Sequence, residues 1–174
     1  MTMKSRYRGC SPRTPLHYNW CGLDNIYLLS GYERLPDADG DDICVHNLDG
    51  LHRAIGERLA RHKKELTGKD LRFLRQQMDL TQSELGDLMG TTDQTVARWE
   101  KGETEMSGPA STLARLLYFS HVRESIDLQS LLKSLRQSDA PLHDDLIFQE
   151  TDSGWQEGAQ PSILTPRRTQ RRHV

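Results

Sequence analysis

Three polar side chains, those of Gln94, Thr95 and Arg98, carry the chemistry that most restricts what this sequence can do. They are the polar positions left on a short helical stretch whose apolar positions are Val96 and Trp99. A glutamine amide matches the major-groove edge of adenine, and an arginine guanidinium matches that of guanine. A threonine methyl group can contact the methyl group of thymine. The pattern predicts a helix that reads base edges.

The stretch before this helix predicts another short helix. Thr81 is a good N-cap, and Glu84 three residues later completes a capping box. Gly90 follows the last apolar residue, where a helix commonly stops, and Gly102 ends the second helix in the same way. The apolar face of the first helix consists of Leu85, Leu88 and Met89. Two helices of about eight residues joined by a short turn are the proportions of a helix-turn-helix.

Residues 80–102 resemble the helix-turn-helix of the Cro-like phage repressors, also called the xenobiotic-response-element family. The resemblance extends over about residues 67–120, and it implies a compact, lambda-repressor-like domain of five helices that binds operator DNA, usually as a dimer. The residues that carry it are Leu80, Thr81, Gln82, Glu84, Leu85, Gly90, Val96, Trp99, Glu100, Lys101 and Gly102.

Position in the family motif implies a role for each polar residue. Gln82, at the start of the first helix, faces a phosphate or an adjacent base, and Lys101 binds a phosphate just past the second helix. Thr92 or Asp93 caps the second helix. Asp93 is the better candidate, because its carboxylate would repel phosphates and its only favourable base contact is the amino group of cytosine. The residues that face the groove are Thr92, Gln94, Thr95 and Arg98.

Two further residues have a structural role by the same resemblance. Arg75 and Glu100 match positions that form an ion pair in some members of this family. If that pair is buried, loss of one partner should cost about 3–5 kcal/mol of stability. The spacing of Trp99 with Val96 predicts that the indole belongs to the core and does not stack on a base.

A separate module is expected before this domain, over residues 20–65. Strand-like segments at Asn25–Arg34 and Asp42–His46 flank a turn cluster and predict a β-hairpin. An amphipathic helix over Leu51–Glu65 follows, with a basic face that is either solvated or binds a nucleic-acid backbone. A lone hairpin is marginally stable in water, so this one must pack on a helix or pair with a second copy. The fold class is therefore mainly α with a small N-terminal β-hairpin.

Both ends of the chain are expected to lack fixed structure. Residues 1–19 form a flexible arm whose basic side chains either touch DNA or stay solvated, and residues 138–174 form a largely disordered basic tail. The helix-turn-helix domain, over residues 67–136, ends in a leucine stripe that is either core or a dimer seam. We favour the seam. The stripe consists of Leu128, Leu131, Leu132 and Leu135.

The charge balance argues against a simple basic DNA-binding protein. The 174 residues have a formal net charge of −2 and a mean hydropathy of −0.72. Residues 67–105 hold five basic and eight acidic residues, although phosphate contacts supply much of the affinity of most DNA-binding proteins. We therefore expect dimerisation or a basic accessory element. The sequence shows no apolar run long enough to span a membrane and no secretory signal, which predicts a cytoplasmic protein. The resemblance to the phage repressors implies a bacterial or phage origin.

Metal binding and catalysis are not expected. Cys10, Cys21, Cys44 and His46 could in principle bind zinc. Antitoxins of the MqsA type carry an N-terminal zinc domain before a similar helix-turn-helix, but they use paired Cys-x-x-Cys motifs that this chain lacks. No phosphate loop, nucleophile elbow or HExxH motif is present. We expect no cofactor and no enzyme activity.

Three functions remain open at this point. The first is a sequence-specific transcriptional regulator, a repressor that binds a palindromic operator in double-stranded DNA as a homodimer. The second is an antitoxin whose N-terminal module binds a toxin while the helix-turn-helix regulates the operon. The third is a protein-interaction module that no longer binds DNA, which the acidic balance of residues 67–105 would favour.

Overall fold

The computed structural model describes residues 15–37, 40–122, 127–137 and 145–159. The strands are β1 (Leu16–His17), β2 (Ile26–Leu28), β3 (Tyr32–Asp37), β4 (Gly40–Val45), β5 (Leu146–Thr151) and β6 (Gly154–Glu157). The helices are α1 (Leu48–His62), α2 (Gly68–Gln77), α3 (Gln82–Met89), α4 (Asp93–Lys101), α5 (Gly108–His121) and α6 (Leu128–Gln137). The prediction of a mainly α fold, with an N-terminal β-hairpin before a five-helix region, is confirmed.

The strands form two sheets. The larger sheet has the order β1-β2-β5-β6, in which β2 runs parallel to β5 and the other neighbours are antiparallel. The smaller sheet is the hairpin of β3 and β4, with Tyr32 opposite Val45. One core cluster contains buried residues of the larger sheet and of all six helices. The division into a module at 20–65 and a domain at 67–136 therefore stays a prediction.

The predicted position of the hairpin is wrong by several residues. Ile26–Leu28 was expected in its first strand but pairs with β1 and β5, and the hairpin begins only at Tyr32. Gly31 separates the two segments at φ +79°, and a side chain there would overlap the indole of Trp155. Ile26 and Leu28 are fully buried, which requires a sheet and helices around them. A hairpin alone could not bury them.

Residues 146–157 also differ from the prediction, because they form strands β5 and β6 and not part of a disordered tail. Ile147 and Phe148 are buried. The Trp155 indole is buried too, and its Nε1 donates to the backbone oxygens of His46 at 3.0 Å and Asn47 at 3.1 Å. Residues 138–144 and 160–174, which complete the predicted tail, lie outside the described residues.

The N-terminal arm was predicted over residues 1–19, and its last five residues belong to the fold. Leu16 lies in β1 and is buried, and so is Tyr18. The Tyr18 hydroxyl lies 2.8 Å from Nε2 of His52 on α1. Residues 1–14 lie outside the described residues, and the prediction for them stays untested.

Helix α1 begins three residues earlier than predicted because Asn47 caps it, with its Oδ1 accepting from the backbone N–H of Gly50 at 3.2 Å. Its basic face is largely engaged inside the protein. The contacts are Arg53 with Glu57, Arg58 with Glu157, Lys63 with Asp70, and Arg61 over the ring of Phe119. These contacts favour a structural role over a nucleic-acid-binding one.

The leucine stripe of α6 is at least partly core. Leu131 is only 4% exposed and belongs to the core cluster, whereas Leu132 and Leu135 are half-buried. Helix α6 packs against α1. Because Leu131 is already covered within one chain, a dimer seam along α6 could use only part of the stripe.

His52 makes the stability of this fold dependent on pH. Burial lowers the pKa of His52, and Asp49 partly offsets the effect. Because the pKa of His52 is lower in the folded protein than in the unfolded protein, the unfolded protein binds the proton at a higher pH. The free energy of unfolding should therefore decrease as pH falls below the ordinary value of 6.5. Urea titrations at pH 7.5 and 5.5 measure this decrease.

His52→Gln should make that decrease smaller, because it removes the group whose pKa burial lowers. Equal pH dependence in wild type and His52→Gln would contradict this role for His52.

Candidate nucleic-acid interface

Helix α3 starts at a complete capping box. The Thr81 hydroxyl accepts from the backbone N–H of Glu84 at 3.2 Å, and the Glu84 carboxylate accepts from both the backbone N–H and the hydroxyl of Thr81 at 2.7 Å. These hydrogen bonds, the backbone one first, lower the pKa of Glu84. Gly90 ends the helix in the left-handed conformation, at φ 66°. The sequence-predicted bounds of α3 are therefore close to the observed ones.

A tight turn connects α3 to α4. A side chain at Gly86 would lie 3.1 Å from the backbone oxygen of Thr91, so the turn packs closely on the preceding helix. Leu85 of α3 and Val96 of α4 are fully buried, and Trp99 is half-buried against the same core. One face of α4 is thereby fixed to the domain and the opposite face is left outside.

The exposed face of α4 holds the residues that sequence analysis selected. Gln94, Arg98 and Lys101 are exposed, and their spacing of four and three residues places them along one side of the helix. Thr95 is half-buried beside them. The side chains of Arg98 and Lys101 are 60% and 68% exposed, so their charged ends are accessible to a partner. This face presents an amide, a hydroxyl and two cations.

The cap of α4 is Thr92, and the expectation that Asp93 caps it is wrong. The Thr92 hydroxyl accepts from the backbone N–H of Thr95 at 3.2 Å and lies 3.0 Å from the Thr95 hydroxyl. Threonine at 92 has the extended backbone of an N-cap, which leaves Asp93 as the first helical residue. The Asp93 carboxylate is exposed in the first turn, where the helix dipole favours it.

Behind this surface, a buried charge network joins α2, α3 and α4. Glu100 accepts from Arg75 through two hydrogen bonds, at 2.6 Å from Nε and 3.1 Å from a terminal nitrogen. The side chains are 4% and 13% exposed. Arg75 also donates to the backbone oxygen of Leu80 at 2.7 Å. The pair therefore fixes the end of α4 to α2 and to the loop before α3.

Gln82 belongs to the same network. Its Nε2 donates to Glu100 at 2.8 Å, which uses one of the two N–H groups of the amide. A glutamine fixed in this way is pre-oriented at the N-terminal end of α3. Sequence analysis selected Gln82 for the interface but did not detect its bond to Glu100, since residues 18 positions apart give no local signal.

Glu103 is a residue near the interface that sequence analysis missed. Its carboxylate lies 3.8 Å from Nε of Arg98 and 3.9 Å from Nζ of Lys101. It comes just after Gly102, which ends α4 at φ 72° and turns the chain back towards the helix. Glu103 therefore offsets part of the positive charge on the exposed face of α4.

Comparison with known proteins agrees with this geometry. Residues 71–109 match the family model described as helix-turn-helix, and these residues include α3, the turn and α4. The match supports the resemblance to the Cro-like repressors that residues 80–102 carry. The matched part is less than a quarter of the chain. No curated protein and no solved structure matches the chain.

Helix-turn-helix domains of this kind bind DNA in transcriptional regulators, and the match supports a regulator of the xenobiotic-response-element type. Helices α3 and α4 are its two-helix motif. Within the described residues, no helix is long and apolar enough to cross a membrane.

The residues that could in principle bind zinc form no cluster among the described residues. His46 lies between the carboxylates of Glu33 and Glu150, at 3.5 and 3.2 Å. Cys21 is half-buried and Cys44 is exposed. Nowhere in the described ranges do three potential metal-binding side chains come together, and Cys10 lies outside those ranges.

Proposed function

We propose that this protein is a transcriptional repressor that binds a palindromic operator as a homodimer. The observation that carries the proposal is α4, a helix fixed to the core by Val96 on one side and exposing Gln94, Arg98 and Lys101 on the other. A rigid helix with paired donors and acceptors on its free face fits a DNA major groove. Binding over a promoter would block transcription.

Each exposed side chain has a defined role in this proposal. Gln94 contacts adenine and Arg98 contacts guanine, whereas Thr95 contacts a thymine methyl group. Lys101 contacts a phosphate. The Thr92 hydroxyl is occupied as the cap of α4, so Thr92 acts by positioning that helix.

Gln82 and Asp93 complete the interface. Gln82, oriented by Glu100, contacts a phosphate or base at the start of α3. The exposed Asp93 carboxylate accepts from a cytosine amino group, because any other position near the DNA would place it against phosphates.

Dimerisation follows from the charge of the domain. A net acidic helix-turn-helix gains little affinity from phosphate contacts, so a single copy would bind weakly. Two copies related by a two-fold axis place two α4 helices in successive major grooves, about 34 Å apart. The symmetric arrangement requires a palindromic operator.

The stoichiometry on DNA tests this part of the proposal. Sedimentation velocity should show two protomers on a duplex with two inverted half-sites. A duplex in which one half-site is scrambled should bind at least about tenfold more weakly. One protomer per duplex with equal affinity for both DNAs would contradict the dimer.

A second candidate function, an antitoxin, is favoured by the hairpin of β3 and β4. Leu35 on this hairpin is 49% exposed, and its cross-strand neighbour Asp42 is exposed as well. Within the described residues the hairpin pairs with no third strand, so its outer edges can add a strand of another protein, and Leu35 supplies apolar surface beside one edge. Co-expression with the neighbouring open reading frame, followed by purification through a tag on this chain, tests the idea. Recovery of this chain alone would argue against an antitoxin.

Glu103, whose carboxylate lies near Arg98 and Lys101 of α4, should weaken DNA binding. Glu103→Gln should raise DNA affinity by about two- to fivefold at low salt, because it frees Arg98 and Lys101 from weak, exposed ion pairs. Fluorescence anisotropy on a labelled operator duplex measures the change.

Glu105→Gln removes the same charge two residues further along and is the matched control. Its effect should be smaller than that of Glu103→Gln. Equal effects of the two variants would show that only the net charge matters.

A further inference from the structure

A cavity of about 650 Å³ lies beside the C-terminal end of α4. Its walls come from the turn between α1 and α2, the end of α4, the segment that joins α4 to α5, and one side of α5 and α6. Trp99, Leu132 and Leu135 supply apolar surface to it. Pockets for small molecules are mostly apolar and have volumes of about 300–1,000 Å³.

A buried cation forms part of the cavity wall. Arg115 of α5 is 1% exposed, and its terminal nitrogens donate to backbone oxygens at the end of α1. The distances are 2.9 Å to Leu59 and Ala60, 2.7 Å to Lys63 and 3.4 Å to Lys64. The Nε of Arg115 is buried as well and has no hydrogen-bond partner among the described residues. Such an unpaired donor is rare in a folded protein.

The charge of Arg115 is only partly balanced. Burial lowers the pKa of Arg115 to about 10, and Asp70 acts in the opposite direction. Asp70 is itself engaged by Lys63, whose Nζ lies 2.6 Å from its carboxylate, and by the hydroxyl of Thr67 at 2.7 Å. No carboxylate in the described ranges lies within ion-pair distance of Arg115.

We propose that this cavity binds a small organic molecule with an apolar body and an acceptor oxygen. The oxygen accepts from Nε of Arg115, which is covered in this structure, so binding includes a small shift of the cavity wall beside Arg115. The apolar body packs against Trp99, Leu132 and Leu135. The mouth of the cavity carries Lys64 together with Glu65 and Glu105, all exposed. Because this rim has both signs of charge, the acceptor can belong to a carboxylate or to a neutral carbonyl group.

An occupant would contact both α6 and α4. Trp99 lies one residue after Arg98, so a ligand that shifts the indole also shifts the end of the helix proposed to bind DNA. Ligand and DNA would then change each other's affinity by the same factor. This coupling rests on the proposed function, whereas the binding of the ligand does not.

Isothermal titration calorimetry of the full chain tests the binding with three probes of one shape. These are 3-phenylpropionate, 3-phenylpropionamide and propylbenzene. At least one of the two oxygen-bearing probes should bind at least about tenfold more tightly than propylbenzene, which lacks the acceptor. Failure of both to bind, or binding of propylbenzene with equal affinity, would overturn the proposal.

Two variants on one helix locate the site. Leu132→Trp fills the cavity and should weaken binding of the better probe at least about tenfold. Lys133→Trp adds the same side chain at the neighbouring exposed position and should change the affinity for that probe less than about twofold. Arg115→Met should remove the preference for the acceptor; if this variant does not fold, the two tryptophan variants decide. Equal binding by wild type and Leu132→Trp would place the probe elsewhere.

The same samples separate this inference from the proposed function. Operator binding measured with and without the bound probe gives the coupling directly. Intact DNA binding without probe binding would contradict only the cavity site. Probe binding by a folded protein that binds no DNA would contradict only the repressor.

Discussion

Replacing Glu100 by alanine should lower the free energy of unfolding by about 3–5 kcal/mol. The reason is the burial of its partner, because Arg75 would keep its charge at 13% exposure without the carboxylate that holds it at 2.6 Å. Gln82 would lose its acceptor as well. Urea denaturation followed by circular dichroism measures the loss.

Glu57→Ala is the matched control for this experiment. Glu57 also pairs with an arginine, Arg53, at 2.8 Å, but the side chains are 32% and 58% exposed. An exposed pair of this kind contributes about 0–1 kcal/mol. A loss below about 1 kcal/mol in Glu100→Ala, similar to the control, would show that the buried pair does not stabilise the domain.

Arg98→Ala should weaken binding to the preferred duplex by about 5- to 150-fold, equivalent to about 1–3 kcal/mol, with little change in stability. The side chain is 60% exposed and its ion pair with Glu103 is long, so the folded state loses little when it is removed. Affinity for duplexes altered at the contacted guanine should fall much less. Anisotropy titrations with the preferred and altered duplexes give both values.

Lys133→Ala removes one positive charge from an exposed position on α6 and controls for net charge. It should lower affinity for all duplexes slightly and equally. If Arg98→Ala binds the preferred duplex as tightly as wild type does, α4 is not the specificity element. The protein-interaction reading would then be favoured.

Sequence analysis located the helix-turn-helix well because its signals are local. Thr67 and Thr81 each form a capping box with an acid three residues later, and Gly90 and Gly102 end α3 and α4 at positive φ. Caps and stops of this kind depend on neighbours within four residues along the chain. The family resemblance rested partly on Thr81, Gly90 and Gly102, and the family match over residues 71–109 includes all three.

The sheet could not be predicted in the same way, because its pairing is not local. Strand β2 pairs with β5 across about 120 residues, with Tyr27 opposite Ile147. In sequence, β5 and β6 are short segments among charged and turn-forming residues, and their burial depends on β2 and α1. Trp155 lies within the segment that was expected to be a disordered tail, and its role in the fold is evident only from its hydrogen bonds to His46 and Asn47.

Buried charges were the other feature that sequence alone could not assign. Arg115 occurs in an otherwise apolar helix and has no acid at helical spacing that would predict its surroundings. Its partners are backbone oxygens at the end of α1, more than 50 residues away. The ion pairs that Glu103 makes with Arg98 and Lys101 similarly depend on the turn at Gly102.

The most direct test of the central claim, that the α3–α4 motif binds specific DNA, is selection from a pool of random duplexes with sequencing of the bound fraction. We expect an enriched inverted repeat with half-sites about one helical turn apart, and selection with Arg98→Ala should relax the preference at one position of each half-site. No enriched sequence at low salt, with the protein shown to be folded, would contradict the claim.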